Sequence, residues 1–262
     1  MQTAAHQLKS PLAAVETLAA LILYRTVSPE LVEDVALRIV KRARQAMVQV
    51  TELLTLARVQ EAEPRRHHAA RSEVNEIARK VADAFAEQAR SRRIEMTVAA
   101  SAGCEPAYAA VDPRDLEDCL GNLVDNAIKY TDEGGRVWVA VGCDESAISV
   151  SVKDTGMGIA EGTEDEIFDP FRRGQLALAK NIPGTGLGLA IVREVAEQAG
   201  GRIEVRSAPG KGSEFILAFP RQAAPAGEPI VRGTRATILR SDAGPAGAEG
   251  RPPAPGTPSG GA

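Results

Sequence analysis

No stretch of this chain stays apolar for the roughly 20 residues that a membrane-spanning helix needs. Leu18 to Tyr24 is apolar but short, and no basic stretch precedes it, so neither a span nor a secretory leader is expected. Basic charge is not in excess. The 31 Lys and Arg stand against 35 Asp and Glu, giving a net charge of -4 and a pI near 5.6. That balance argues against a nucleic acid or an anionic membrane as partner. Short clusters such as Arg65-Arg66 and Arg92-Arg93 read as solvated faces. Cysteine is scarce: Cys104, Cys119 and Cys143 form no close metal pair and no even framework. Buried or idle thiols in a reducing cytosol are the expectation. No internal repeat is visible, and 262 residues leave room for one or two domains with a real core.

What is present begins with two helical patterns. Over residues 3–25, Leu8, Leu12, Val15, Ala19 and Ile22 recur at alternating steps of four and three. Ser28 suits an N-cap and Pro29 the first helical position, so a second helix starts there. Its seam runs Val32, Ala36, Ile39, Ala43, Ala46, Val50, Leu53 and Ala57, widened by Val40, Met47 and Leu54. Such a hairpin cannot hide its apolar face alone. A second copy would complete a four-helix bundle, and the rival is docking on the downstream domain. At about 1.5 Å per residue the second helix outruns the first by roughly ten residues. The first helix is therefore expected to begin upstream of Met1 in a longer parent.

Glu63-Pro64 ends the hairpin, residues 63–71 read as a linker, and a new pattern begins at Ser72. Helices are expected over about 73–91, from Asp112-Pro113 to near Tyr130, and over Leu187–Ala199, closed by Gly200-Gly201. Strands are expected at Ile94–Val98, Tyr108–Val111, Arg136–Val141, Ala147–Val152, Arg202–Arg206 and Ser213–Phe219. The fold class is α+β: a helical hairpin over residues 1–62, then a two-layer sandwich with helices on one face of a mixed sheet over 72–222. Residues 223–262, rich in Pro, Gly and Ala, are expected to lack structure.

Four segments carry chemistry. Asn122 and Asn126 lie four apart on one helical face, with Lys129 one turn on. An Asn oxygen is a neutral ligand for Mg²⁺ riding on a phosphate chain, and the lysine can offset phosphate charge. Asp154-Thr155-Gly156-Met157-Gly158 follows a strand. Its glycines let backbone pass close to a flat ligand, and its carboxylate can accept from an exocyclic amine. Gly184-Thr185-Gly186-Leu187-Gly188 opens a helix whose N–H groups can face phosphate. It has neither the Gly-Lys-Ser/Thr of a P-loop nor a full dinucleotide fingerprint. Between these loops, Ile167–Arg173 lies in a lid-length connection; Phe168 and Phe171 could anchor it, and Arg172 or Arg173 could reach a terminal phosphate. Far upstream, His6 offers an imidazole able to attack phosphorus near neutral pH, and Pro11 would kink its helix.

In this order the segments resemble the core of a two-component sensor histidine kinase. His6–Leu12 is similar to the family's phosphoacceptor box, and Asn122–Tyr130 to its N box. Asp154–Gly158 and Gly184–Gly188 are similar to its two glycine boxes, Ile167–Arg173 to its phenylalanine box, and Gly210–Ser213 to the motif closing the site. The resemblance spans nearly all of residues 3–220. It implies a dimerisation and histidine-phosphotransfer hairpin followed by an ATP-binding domain of the GHKL type. His6 would be the residue autophosphorylated from ATP. Asn126 would hold Mg²⁺, with Asn122 and Lys129 at the phosphates, Tyr130 near the adenine and Asp154 on its amino group. Gly156, Gly158, Gly184, Thr185, Gly186, Leu187, Gly188 and Ser213 would complete the nucleotide site. Arg173 aligns best with the arginine that reaches the γ-phosphate, and Arg172 is the alternative.

Gln7 stands where the family usually carries a carboxylate. An amide oxygen can orient the ring but holds no proton near pH 7, so slower autophosphorylation is expected. Ser10 stands where a Thr or Asn often positions water for dephosphorylating the partner. The implied partners are a second copy of the chain and the receiver domain of a response regulator, with the core cytoplasmic and any membrane anchor confined to a longer parent. Two rivals are a degenerate nucleotide-binding dimerisation module and a GHKL-class ATPase using Glu117 or Asp118 to activate water.

Overall fold

The computed structural model describes residues 2–61, 71–180, 182–223 and 237–239, without the side chains of residues 2–8, 175 and 237–239. The expected linker up to residue 70, with His67 and His68, and most of the tail lie outside the described residues.

Helix α1 (Gln2–Leu23) turns back through Tyr24–Ser28, where Arg25 adopts φ 54°. Ser28 and Pro29 start the return as expected, through a single 3-10 turn (Pro29–Leu31) that runs into α2 (Val32–Glu61). The two helices hold 22 and 30 residues. The last turns of α2 meet the second domain. Leu56 and Val59 are buried in its core, Gln198 donates to the Val59 carbonyl at 2.5 Å, and Arg58 lies 2.5 Å from Asp115. Elsewhere the hairpin keeps apolar side chains in the open, with Met47 68% and Leu54 65% exposed.

The second domain is built from β1 (Ser72–Glu73), α3 (Val74–Ser91), β2 (Glu95–Ala100), β3 (Tyr108–Ala109), α4 (Pro113–Tyr130), β4 (Arg136–Cys143) and β5 (Ala147–Asp154). It continues with the short α5 (Gln175–Ala179), α6 (Gly188–Gln198), β6 (Arg202–Ser207) and β7 (Ser213–Gln222). Local chemistry starts the helices. Glu73 accepts from the Asn75 and Glu76 amides to cap α3, and Asp112 accepts from the Arg114 amide before Pro113 to cap α4. The sheet runs β1-β3-β7-β5-β4-β2, with β6 also on β7; β2 and β4 are parallel and the other pairs antiparallel. Alternation sets the inner face: Val137, Val139 and Val141 of β4, and Ile148, Val150 and Val152 of β5, are all buried beneath the helices. Leu116, Leu120, Leu123 and Ile128 of α4 fill the space above them.

Two expectations are corrected here. Cys104 and Cys143 are joined by a disulfide, with their Cα atoms 5.6 Å apart, while Cys119 is free and buried. Parallel pairing of β2 with β4 brings the connection after β2 alongside the end of β4, uniting residues 39 apart in sequence. In the tail expected to lack structure, β8 (Thr237–Leu239) pairs antiparallel with β2. The outer edge of β2 otherwise presents unpaired backbone groups, which any short extended segment can satisfy.

Candidate active site

Strand parity places the first site residue. Ile148, Val150, Val152 and Asp154 are successive inward positions of β5, so the strand that builds the core ends in a carboxylate on the helix side. Asp154 is only 5% exposed. Its Oδ1 accepts from the amides of Gly156 (2.7 Å) and Ser213 (3.2 Å). Burial pushes its carboxyl up from the ordinary carboxylate range, and the two N–H donors pull it partly back. Close backbone packing makes this possible. Gly212 has φ 80°, and a Cβ there would overlap the Asp154 carbonyl oxygen.

Helix α4 supplies the second group. Its buried stripe faces the sheet, which leaves Asn122, Asp125, Asn126, Lys129 and Tyr130 half-buried on the flank. Lys129 forms an ion pair with Asp125, and Gln88 donates to the same carboxylate at 3.1 Å. The third group opens α6. Thr185 accepts from the Leu187 amide at 3.2 Å, and Gly188 lies against Asn122, where a Cβ would come within 3.0 Å of Oδ1.

The connection between the glycine loops is anchored as its phenylalanines suggest. Phe168 is buried edge-on to Phe215, with ring centroids 6.5 Å apart, and Arg193 stacks over it at 5.7 Å. The Phe171 amide donates to the Gly186 carbonyl at 2.8 Å, which ties the lid to the second glycine loop. Arg172 pairs with Glu166. Arg173 donates to the Ile182 carbonyl through Nη2, while its buried Nε has no partner.

These groups surround one cavity of about 1440 Å³. Of the residues singled out in the sequence, Asn122, Asn126, Lys129, Tyr130, Asp154 and Gly158 line it, as do Arg172, Arg173, Gly184, Thr185, Gly186, Gly188 and Ser213. Two do not. Gly156 is buried with its position pressed against the Tyr130 carbonyl, and Leu187 is fully buried in the core. Both support the loops from behind. Glu117 and Asp118 also lie off the cavity, paired with Lys80 at 2.7 Å and with Arg58 at 3.8 Å.

The hairpin closes the cavity from above. Ser10 and Pro11 of α1 line it, so the helix that carries His6 passes its rim. The side chains of His6 and Gln7 lie outside the described residues. Gln45, Gln49 and Glu52 of α2 line it too, and reasoning from sequence missed them. They fall between the apolar seam positions, where a polar residue reads as solvated. Their spacing of four then three residues was the available signal of a common face. Burial raises the Glu52 carboxyl, the Thr185 hydroxyl and Lys129 draw it down, and Asp125 raises it again.

A cation fits this donor set only as a companion of phosphate. Among the described residues no group of three or more His, Cys, Asp or Glu could hold a metal. The neutral oxygens of Asn122 and Asn126 suit Mg²⁺ that takes most of its shell from water and a triphosphate.

Residues 111–223 match the family described as Histidine kinase-, DNA gyrase B-, and HSP90-like ATPase. The sensor histidine kinase RppB of Synechocystis sp. is 34% identical over 220 residues, covering 83% of this chain and 47% of RppB. The chain spans about half the length of the curated relatives it matches. Among solved structures, the catalytic domain of histidine kinase ThkA is 29% identical with a TM-score of 0.51, covering 58% of this chain and 97% of that domain. ShkA, solved full-length in complex with AMPPNP, is 28% identical with a TM-score of 0.62, covering 86% of this chain and 46% of ShkA. Hairpin, curled α/β domain and ordered boxes agree with these likenesses, and the chain belongs to the sensor histidine kinases, with an ATP-binding domain of the GHKL class.

Proposed function

We infer that this chain binds ATP with Mg²⁺, transfers the γ-phosphoryl group to His6, and passes it on to an aspartate of a response regulator. One observation carries the reading: a single cavity is lined both by the two asparagines, the acidic strand end and the glycine loop, and by Ser10 of the helix that bears His6. Ser10 lies four residues after His6, so the two positions share a face of α1.

Asp154 Oδ2 is free to accept from the adenine amino group, since Oδ1 is held by two backbone amides. Gly184–Gly188 offers N–H groups to the phosphates at the start of α6. Lys129 and Arg173 would meet the growing charge on the transferred group, and Asn126, with Asn122 beside it, would hold Mg²⁺, which neutralises the phosphate oxygens. The imidazole of His6 donates the attacking electron pair as the bond between the γ-phosphorus and its bridging oxygen breaks, leaving ADP. Positioning and charge neutralisation then supply most of the rate. A second copy of the chain is the natural cover for the exposed hairpin stripe of Met47, Val50 and Leu54. The bound nucleotide analogue of ShkA supports the nucleotide part of this reading. The ATPase alternative is disfavoured, because Glu117 and Asp118 sit in ion pairs away from the cavity.

Incubation with γ-labelled ATP and Mg²⁺ tests the reading. Label on the protein that is lost in acid and kept in base is expected. Steady release of phosphate with no labelled protein would replace this account with the ATPase.

A further inference from the structure

Helix α2 reaches the cavity because its end is fastened to the second domain. Leu56 and Val59 are buried in the shared core, the Val59 carbonyl is held by Gln198, and Arg58 is paired with Asp115. Glu52 lies one turn before Leu56, so this anchorage carries its carboxyl over the cavity mouth. It lines that cavity with Asn122, Asn126, Lys129 and Thr185. Its Oε2 is buried without a hydrogen-bond partner, and so is Oε1 of Gln49, one turn earlier on the same face. A buried carboxylate oxygen with no donor is an unfavourable arrangement, and protein interiors rarely keep one without a reason. The Thr185 hydroxyl and Lys129 favour the charge of Glu52, and Asp125 opposes it.

A carboxylate and a phosphate oxygen seek the same surroundings, namely a lysine and the donors of a glycine loop. The negative charge of Glu52 therefore opposes that of an incoming triphosphate within one cavity. We propose that Glu52 is a displaceable latch: the anchored end of α2 holds its carboxyl across the nucleotide cavity, and the nucleotide's phosphates must expel it, lifting α2 as they bind. The unsatisfied Oε2 makes the latch weak enough to yield. Displacement would couple nucleotide occupancy to movement of the hairpin that carries His6. This proposal rests on the cavity being a nucleotide site.

Calorimetric titration of the whole chain with ATP and with adenosine, in Glu52→Gln and Glu52→Ala as well as the native chain, tests it. Both variants should bind ATP about tenfold more tightly than the native chain, with adenosine binding unchanged. Glu52→Gln keeps the shape of the side chain, so its gain isolates the charge. Hydrogen exchange should reveal protection over residues 45–56 that ATP reduces in the native chain. Equal or weaker ATP binding by Glu52→Gln overturns the latch while leaving the nucleotide site intact. Absence of ATP binding by the native chain and both variants overturns the nucleotide site itself, and the latch with it.

Discussion

Asp154 divides its two oxygens between the fold and the ligand. Oδ1 is committed to the Gly156 and Ser213 amides. An Asn in its place would keep those bonds with its oxygen and turn its NH₂ toward the adenine amine, donor against donor. Asp154→Asn is expected to weaken ATP binding by about tenfold to a hundredfold, the equivalent of 1–3 kcal/mol for a mispaired buried group, as read by calorimetry. Stability should move the other way. Burial raises the carboxyl in the folded chain above its unfolded value, so the folded state holds the proton more firmly. Stability is therefore lost as pH rises from the ordinary carboxylate range through the raised folded value. At pH 7 Asp154→Asn should melt at or above the native temperature, and the gap should narrow in acid. At the other end of the chain, Gln7→Glu is expected to raise the initial rate of protein labelling, because a carboxylate can take the ring proton that an amide cannot. A slower or equal rate would remove that idea. Asp154 was legible because it closes an alternating strand just before two glycines. Glu52 was not, since nothing in a helical repeat says that a polar position will meet another domain.

The element that most affects the site is α2. Its last turns belong to the core of the second domain, and its middle covers the cavity. Arg58 is half-exposed, yet the Asp115 it pairs with is nearly buried. Arg58→Ala is expected to destabilise the chain by about 1.5–3 kcal/mol, the range for a hydrogen bond to a charged group, measured by denaturant unfolding. Hydrogen exchange over the end of α2 should rise in the same variant. Most elements were readable from sequence because each carries its own signal: Asp112-Pro113 caps α4, Gly200-Gly201 follows α6, and alternation marks β4 and β5. The two-residue β1, the five-residue α5 and the three-residue β8 were not. Elements that short have no periodicity to read and exist only through the neighbours they pair with or cover. The Cys104–Cys143 disulfide was hidden for a related reason, because strand order rather than spacing brings its halves together.

For the whole molecule, two surfaces matter: the cavity beneath the hairpin and the apolar stripe along it. A stripe holding Met47, Val50 and Leu54 in the open is far from the usual state of a monomer. Met47→Glu combined with Leu54→Glu is expected to convert a dimer to a monomer in sedimentation, with the helical content and the ATP affinity of the second domain kept. A native chain already monomeric at micromolar concentration would contradict the four-helix bundle. The central claim is that the cavity delivers phosphate to the helix running along its rim. Mapping the labelled residue after incubation with γ-labelled ATP and Mg²⁺ tests it most directly. The account predicts an acid-labile phosphate on His6, absent from His6→Ala under conditions where that variant still binds ATP. A phosphate mapped to any other residue, or labelling that survives His6→Ala, would contradict it.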